Sequence, residues 1–141
     1  MDSDILLKQI YEEMRVTRDF LAAWFAGSLE KPEKVEDFYL SRVLAENFTT
    51  VRPDGTRLNR EQTIHGFSEK LYGSEPDVIR HENLNIQAIL NTESIAVIAY
   101  DEKHVYSDHA KVYALTAVFL KDETAPNGVS WLVVHETPIT N

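Results

Sequence analysis

A chain of 141 residues, 43% hydrophobic and 26% charged, has the size and composition of one folded domain, which argues against a disordered chain. Its net charge of −9 disfavours nucleic acid and anionic membrane surfaces as partners, because the electrostatic interaction with them is repulsive. The absence of cysteine excludes disulfides, thiolate metal sites and cysteine nucleophiles.

The N-terminus, Met1-Asp2-Ser3-Asp4, is acidic and has neither the basic segment nor the apolar run of a signal peptide. No stretch reaches the ~18–20 apolar residues that span a bilayer. We therefore expect a cytoplasmic protein that consists of a single domain over residues 1–141.

A long first helix is predicted from apolar residues that recur at spacings of three and four. Ser3 or Asp4 would supply the N-cap, and Gly27 is the expected end. The large rings of Phe20 and Trp24 lie in its second half, where they either pack in the core or line a cavity.

A shorter second helix is predicted at Pro32, a residue that suits the first turn of a helix. Residues 47–51 alternate in polarity and are rich in β-forming types, so they predict a short strand, and a turn follows it. Asn59 and Gln62 have the spacing of a capping box and predict a third helix that ends near Gly73.

The rest of the chain predicts four long strands, at residues 78–90, 95–106, 111–121 and 129–139. Three helices followed by such strands predict an α+β domain, in which the helices pack on one face of a curved antiparallel sheet.

Short turns between the strands allow their register to be estimated, and the register decides the faces because a slip of one residue exchanges them. The expected pairs are Leu84 with Tyr100, Ile86 with Ile98, Ile98 with Ala117, Tyr100 with Leu115, Phe119 with Trp131, and Leu115 with His135. This register puts a bulky aromatic face under the helices and a small aliphatic face on the other side.

The aromatic face is expected to line a pocket for a small apolar ligand. The expected pocket residues are Phe20, Trp24, Phe67, Tyr113, Leu115, Phe119 and Trp131. His135 is the first candidate for a catalytic or ligand-binding residue, because the ordinary pKa of histidine suits proton transfer near neutral pH. Tyr100 is the second, since it could donate a hydrogen bond to a ligand carbonyl. The alternative is a structural histidine and a core tyrosine.

Three helices that cover the aromatic face cannot also cover the aliphatic face on the other side of the sheet. Exposed apolar patches usually mark protein contacts. We therefore expect a homodimer formed through this face, and the alternative is a face covered by loops. The expected dimer residues are Val97, Ala99, Ala114, Thr116, Val118, Leu132 and Val134.

Two segments are similar to a known family. The first is residues 48–61 (FTTVRPDGTRLNRE), and the second comprises residues 117–119, a glycine-containing turn, Trp131 and residues 134–137 (VHET). With the order of helices and strands, they resemble the SnoaL-like members of the nuclear transport factor 2-like superfamily, small bacterial proteins with a cystatin-like fold. The resemblance implies a curved sheet around a long first helix, a cone-shaped pocket, and usually a dimer through the sheet.

The resemblance also implies acid–base chemistry of the isomerase, cyclase or dehydratase type. Ketosteroid isomerases of this superfamily use an aspartate base with a tyrosine and a protonated acid. The expected register puts no carboxyl in the middle of the pocket face, because Glu82 and Glu102 lie near strand ends and Glu136 points away. Whether the protein is an enzyme is therefore left open.

No cofactor and no metal is expected. The sequence has no glycine-rich phosphate loop and no closely spaced histidine pair, and His104 and His109 flank a turn without a clear third ligand. Two functions remain: a small-molecule binding protein or acid–base enzyme with an apolar pocket, and, alternatively, a non-catalytic homodimerisation or interaction module.

Overall fold

The computed structural model describes residues 2–139. The helices are α1 (Asp2–Ala26), α2 (Tyr39–Val43) and α3 (Arg60–Glu69), and a 3₁₀ turn lies at Val35–Asp37. The strands are β1 (Leu44–Val51), β2 (Arg57–Asn59), β3 (Val78–Asn91), β4 (Ile95–Tyr106), β5 (Ala110–Lys121) and β6 (Val129–Pro138). The predicted α+β arrangement, with N-terminal helices packed on a sheet, is confirmed. Between residues 2 and 139, no helix is long and apolar enough to cross a membrane.

Helix α1 ends where the sequence predicts. Gly27 has a φ of 76°, a conformation that costs glycine little, and its N–H donates to Trp24 O at 3.0 Å. The next N–H, of Ser28, donates to Ala23 O at 3.0 Å, so the carbonyls of Ala23 and Trp24 both have a partner beyond the end of the helix. At the other end, Ser3 lies inside the helix rather than at its N-cap, because α1 begins at Asp2.

The predicted second helix is interrupted. Phe38 follows the 3₁₀ turn in an extended conformation, with φ −69° and ψ 133°, and leaves α2 only five residues. Its buried ring packs 4.8 Å from the ring of Trp24 and 5.6 Å from that of Phe20, measured between centroids. Core packing therefore determines the backbone here. The capping box of α3 is present, because Asn59 and Gln62 exchange two hydrogen bonds of 2.9 Å.

The sheet is mixed rather than purely antiparallel. Its strand order is β2-β1-β6-β5-β4-β3, and β1 runs parallel to β6. The prediction of an antiparallel sheet is wrong at this pair, because the long connection through α3 and four strands returns the chain in the same direction. The short strand β2, which forms a hairpin with β1, was not predicted, since three residues cannot establish an alternation.

The register of β4 and β5 is as predicted, with Tyr100 opposite Leu115 and Ile98 opposite Ala117. The register of β3 is not, because irregularities in the pairing shift it. Leu84 pairs with Asp101 instead of Tyr100, and both Leu84 and Ile86 are exposed. The expected pairs, Leu84 with Tyr100 and Ile86 with Ile98, would have placed both side chains on the face under the helices.

A bulge in β6 reverses the side of the sheet to which the residues after it point. Phe119 pairs with Trp131 as predicted, but Val118 pairs with Val133, so Leu132 is an extra residue. From there on, the pairs are shifted by one residue: Ala117 with Val134, Thr116 with His135, and Leu115 with Glu136. The predicted pair of Leu115 with His135 is therefore wrong, and the strand presents Val134 and Glu136 to the helices.

A buried carboxylate joins α1 to the rest of the domain. Glu13 is 0% exposed, and its Oε1 accepts hydrogen bonds from Tyr39 Oη at 2.8 Å and Asn127 Nδ2 at 3.0 Å. Its Oε2 accepts one from Trp131 Nε1 at 2.9 Å and one from the Thr17 hydroxyl. Four donors from four parts of the chain compensate the cost of burying this group.

We expect Glu13→Gln to lower the free energy of unfolding by about 2–4 kcal/mol, because an amide NH₂ would face two buried donors. Urea unfolding followed by circular dichroism measures the change. The control is Glu12→Gln, which removes the exposed ion pair with Arg15 and should cost less than about 0.5 kcal/mol. Equal losses in the two variants would contradict a structural role for the Glu13 network.

Candidate functional site

A cavity lies between the helices and the sheet. It has a volume of about 580 Å³, which includes space open to solvent. Its lining is mostly apolar and comes from all three helices and from strands β1, β4, β5 and β6. The apolar and hydroxyl-bearing lining residues are Thr17, Leu21, Leu40, Leu44, Phe48, Thr50, Thr63, Phe67, Tyr100, Leu115, Trp131 and Val134.

Three charged side chains interrupt this apolar lining: Glu136 on β6, Glu102 on β4, and Arg52 just after β1. Burial raises the pKa of Glu136 above its ordinary value of 4.5, and the charge of Glu102 raises it further. Arg52 and His104 oppose this rise. A carboxyl whose pKa is raised by an apolar environment can act as an acid or a base closer to neutral pH.

Tyr100 supplies a phenol hydroxyl that could donate a hydrogen bond to a group in the cavity. It is only 4% exposed and lines the same cavity. Burial, followed by the charges of Glu102 and Glu136, raises its pKa well above 10.0. The phenol therefore keeps its proton and can donate a hydrogen bond.

The mouth of the cavity is more polar than its interior. A second concavity shares Leu21, Arg52, Phe67, Glu102 and Glu136 with the first. Its further polar residues are Ser74, Glu75, His104 and Tyr113. Burial, with Glu136 as the next cause, raises the pKa of Tyr113. Titratable groups thus surround the entrance.

Two histidines pack together beside this mouth. His81 on β3 and His104 on β4 are direct cross-strand partners, and their rings stack with centroids 3.7 Å apart. His104 Nε2 lies 2.8 Å from Glu102 Oε1, so it donates its proton to that carboxylate. Burial, together with His104 and Arg18, lowers the pKa of His81 to about 3, which leaves its ring neutral at pH 7.

The structure brings together only part of the residues that the sequence suggested. Tyr100, Phe67, Leu115 and Trp131 line the cavity, and Tyr113 lies at its mouth. The other expected pocket residues do not line the cavity: Trp24 and Phe119 belong to the buried core, and Phe20 is partly buried and packs against that core. Trp24 is 1% exposed, and its Nε1 donates to Phe67 O at 2.6 Å.

His135 does not lie in the cavity. It pairs with Thr116, is exposed, and shares the opposite face of the sheet with Val118, because the bulge at Leu132 reverses the alternation. The same bulge moves Val134 from the expected dimer face into the cavity lining.

Sequence reasoning missed the charged groups of the cavity. Glu136 was assigned to the wrong face, Glu102 to a strand end, and Arg52 to a turn without a role. An alternating sequence pattern cannot predict a bulge. The one indication in the sequence was that two titratable residues, His135 and Glu136, are adjacent, so that either of them could face the cavity.

The raised pKa of Glu136 predicts a pH dependence of stability. The folded state binds this proton more tightly than the unfolded chain, so its stabilising contribution is complete below about pH 4.5 and is lost as pH rises through the folded-state pKa. We expect Glu136→Gln to increase the free energy of unfolding at pH 7 and to reduce the loss of this free energy as pH rises. Urea unfolding at several pH values measures the free energy of unfolding. The control is Glu46→Gln, at an exposed position of β1, which should leave its pH dependence unchanged. An unchanged pH profile in Glu136→Gln would contradict the burial of a charge there.

Comparisons with known proteins identify the fold and no more. No protein-family model matches the chain, and no curated protein matches it. An NTF2-like protein of unknown function from Pseudomonas aeruginosa superposes with a TM-score of 0.79 at 20% identity, covering 94% of this chain and 99% of that one.

Two further solved structures are similar. An uncharacterised protein with a cystatin-like fold from Caulobacter vibrioides gives a TM-score of 0.62 at 15% identity, over 94% of this chain and 91% of that one. The CaMKII hub of S. rosetta gives 0.65 at 14% identity, over 96% and 95%. These identities are too low to carry a function, and they establish that the chain has the NTF2-like, cystatin-like α+β fold.

Proposed function

We propose that the protein binds a small, largely apolar molecule in the cavity between its helices and its sheet, and exchanges a proton with it. The observation that carries this proposal is Glu136, a half-buried carboxyl that faces a largely apolar cavity and whose pKa is raised by its partial burial. Burying a carboxyl next to a second one, Glu102, costs free energy, and such an arrangement is typical of functional sites. The ligand we expect has an apolar skeleton and one carbonyl or hydroxyl group.

The chemistry follows from the two kinds of group that line the cavity. Glu136 in its ionised form takes a proton from the carbon next to a ligand carbonyl, which leaves an enolate, and returns the proton to that carbon. In a ligand with a double bond one carbon further along, the proton can instead return to the far end of the resulting dienolate, and the double bond moves next to the carbonyl. The phenol of Tyr100 donates a hydrogen bond to the carbonyl oxygen, on which negative charge develops. The charge of Arg52 favours the ionised form of Glu136, because it opposes the rise of that pKa.

A general proton-exchange assay tests this proposal without knowledge of the natural ligand. Small alicyclic and aromatic ketones are incubated with the protein in D₂O, and NMR follows the deuterium that enters next to the carbonyl. We expect the protein to accelerate this exchange and Glu136→Gln to reduce the acceleration by about 10²–10⁴-fold. The matched control is His135→Gln, which changes the exposed neighbour of Glu136 and should leave the exchange unchanged.

Binding is measured separately, by saturation-transfer NMR with the same ketones. Leu115→Trp fills the cavity and should abolish binding, whereas Glu136→Gln should retain it. Ketones that bind without any accelerated exchange would reject the acid–base step and leave the binding role. Binding that is insensitive to Leu115→Trp would place the ligand outside the cavity and reject both.

A second candidate function, assembly into a homodimer, is supported by the face of the sheet opposite the cavity, which we call the back face. The register places Val97, Ala99, Thr116 and Val118 together on it. Strand β3 adds the exposed side chains of Leu84 and Leu90, the partners of Asp101 and Val97. An apolar surface that spans several strands is typical of a protein contact. One solved structure with the same fold is described as a hub.

We propose that two copies of the chain pack back face to back face, and that this assembly coexists with ligand binding on the other side of the sheet. Val118→Asp puts a charge in the middle of the back face and should weaken the dimer at least about 10-fold, a change of about 1.4 kcal/mol. Size-exclusion chromatography with light scattering measures the mass as a function of concentration.

The control for this experiment is His109→Asp, at the exposed turn between β4 and β5. It adds the same charge away from the back face and should leave the mass unchanged. A wild-type protein that stays monomeric at high micromolar concentration would reject the dimer.

A further inference from the structure

The stacked histidines beside the cavity mouth contain an unusual buried group. His81 is 3% exposed, and neither of its ring nitrogens has a hydrogen-bond partner within residues 2–139. The nearest carboxylate oxygen, Glu102 Oε1, lies 3.6 Å from His81 Nδ1, which is beyond hydrogen-bond distance. Buried polar atoms are nearly always paired, so this imidazole requires a partner from outside the chain or a reason for its burial.

A carboxylate lies close to both histidines. One donor atom each from Glu75, His81 and His104 lie within 4.8 Å of one another. Glu75 is held in place by its backbone, because its N–H donates to Phe25 O at 2.9 Å. Its side chain accepts a hydrogen bond from the Tyr106 hydroxyl, which orients the carboxylate.

The groups around these donors resemble the surroundings of a metal site. His104 donates its Nε2 proton to Glu102, and a histidine that donates one ring proton to a carboxylate has its other nitrogen free as a ligand. Two carboxylates, Glu75 and Glu102, lie beside two histidines, and none of the ion pairs formed by residues 2–139 joins them to a lysine or an arginine. A divalent cation would supply the missing positive charge and a partner for His81.

From this geometry we infer that Glu75, His81 and His104 form a binding site for a divalent transition metal, with Zn²⁺ as the ion that suits them best. Two imidazoles and one carboxylate are a donor set that zinc accepts, with one position open for water or another ligand. Magnesium and calcium prefer sites made of oxygen ligands alone.

Zinc binding requires the donors to approach one another and the two imidazoles to unstack. Ligands about 2.0–2.2 Å from a tetrahedral zinc ion are roughly 3.3–3.6 Å apart, compared with separations of up to 4.8 Å here. The rings now lie in nearly parallel planes, 9° apart, and an ion binds in the plane of each imidazole, so the side chains must also rotate out of the stack. Glu75 and His104 both line the cavity mouth, so the open position of the ion would lie toward the cavity. The inference rests on these donors alone and does not depend on the acid–base role of Glu136.

Zinc titration of the full chain tests the inference. The purified protein is treated with a chelator, desalted, and titrated with ZnCl₂ in competition with a chromophoric chelator. We expect one equivalent of Zn²⁺ to bind and to raise the melting temperature, because the ion binds the folded state. Millimolar MgCl₂ should not displace it, and Co²⁺ in its place should give visible absorption bands.

Two ligand variants and two controls decide the location of the ion. Glu75→Gln keeps an acceptor for Tyr106, and His81→Phe keeps a stacked ring; each should weaken zinc binding at least about 10-fold. His109→Ala and His135→Ala remove exposed histidines and should leave the affinity unchanged. If His81→Phe fails to fold by circular dichroism, Glu75→Gln alone decides the question.

Three outcomes would reject the site: a wild-type protein that binds less than one equivalent, ligand variants that retain wild-type affinity, or a loss confined to the two controls. The last outcome would place the zinc on surface histidines.

Discussion

One extra residue in the last strand decides which side chains reach the cavity. The bulge at Leu132 lies between the pairs Val118–Val133 and Phe119–Trp131, and every residue after it faces the side opposite to that of a regular strand. In a regular strand, the imidazole of His135 would face the cavity and the carboxylate of Glu136 would face away. The bulge reverses this choice, so the cavity contains a half-buried carboxyl with a raised pKa.

A hydrogen bond between β6 and helix α1 fixes the position of the bulge. Trp131 immediately precedes it, and its indole N–H donates to the buried carboxylate of Glu13 on α1. The same carboxylate binds Tyr39 at the start of α2 and Asn127 in the turn before β6. A slip of β6 by one residue would turn the indole away from Glu13 and leave a buried charge without one of its donors, which is a costly change.

The polar groups of the interior fall into two kinds. At one end of the domain, Glu13 is enclosed by four donors and is satisfied within the chain. At the cavity and its mouth, the acids and histidines have fewer partners: Glu136 faces a largely apolar cavity, and His81 has no hydrogen bond to any group of residues 2–139. Satisfied groups stabilise and orient a fold, whereas buried groups without partners indicate where a ligand or an ion would bind.

The sequence by itself determined what local contacts control: the α+β class, most strand bounds, the capping box at Asn59, and the register of β4 with β5 across a short turn. Helix periodicity, caps and tight turns act over a few residues, so the pattern of the chain is enough to predict them. Only the tertiary structure decided the parallel pairing of β1 and β6, the bulge at Leu132 and the irregular register of β3. These features depend on packing between residues far apart in the chain. Both candidate sites depend on them, because one residue of difference in register removes Glu136 from the cavity or separates His81 from His104.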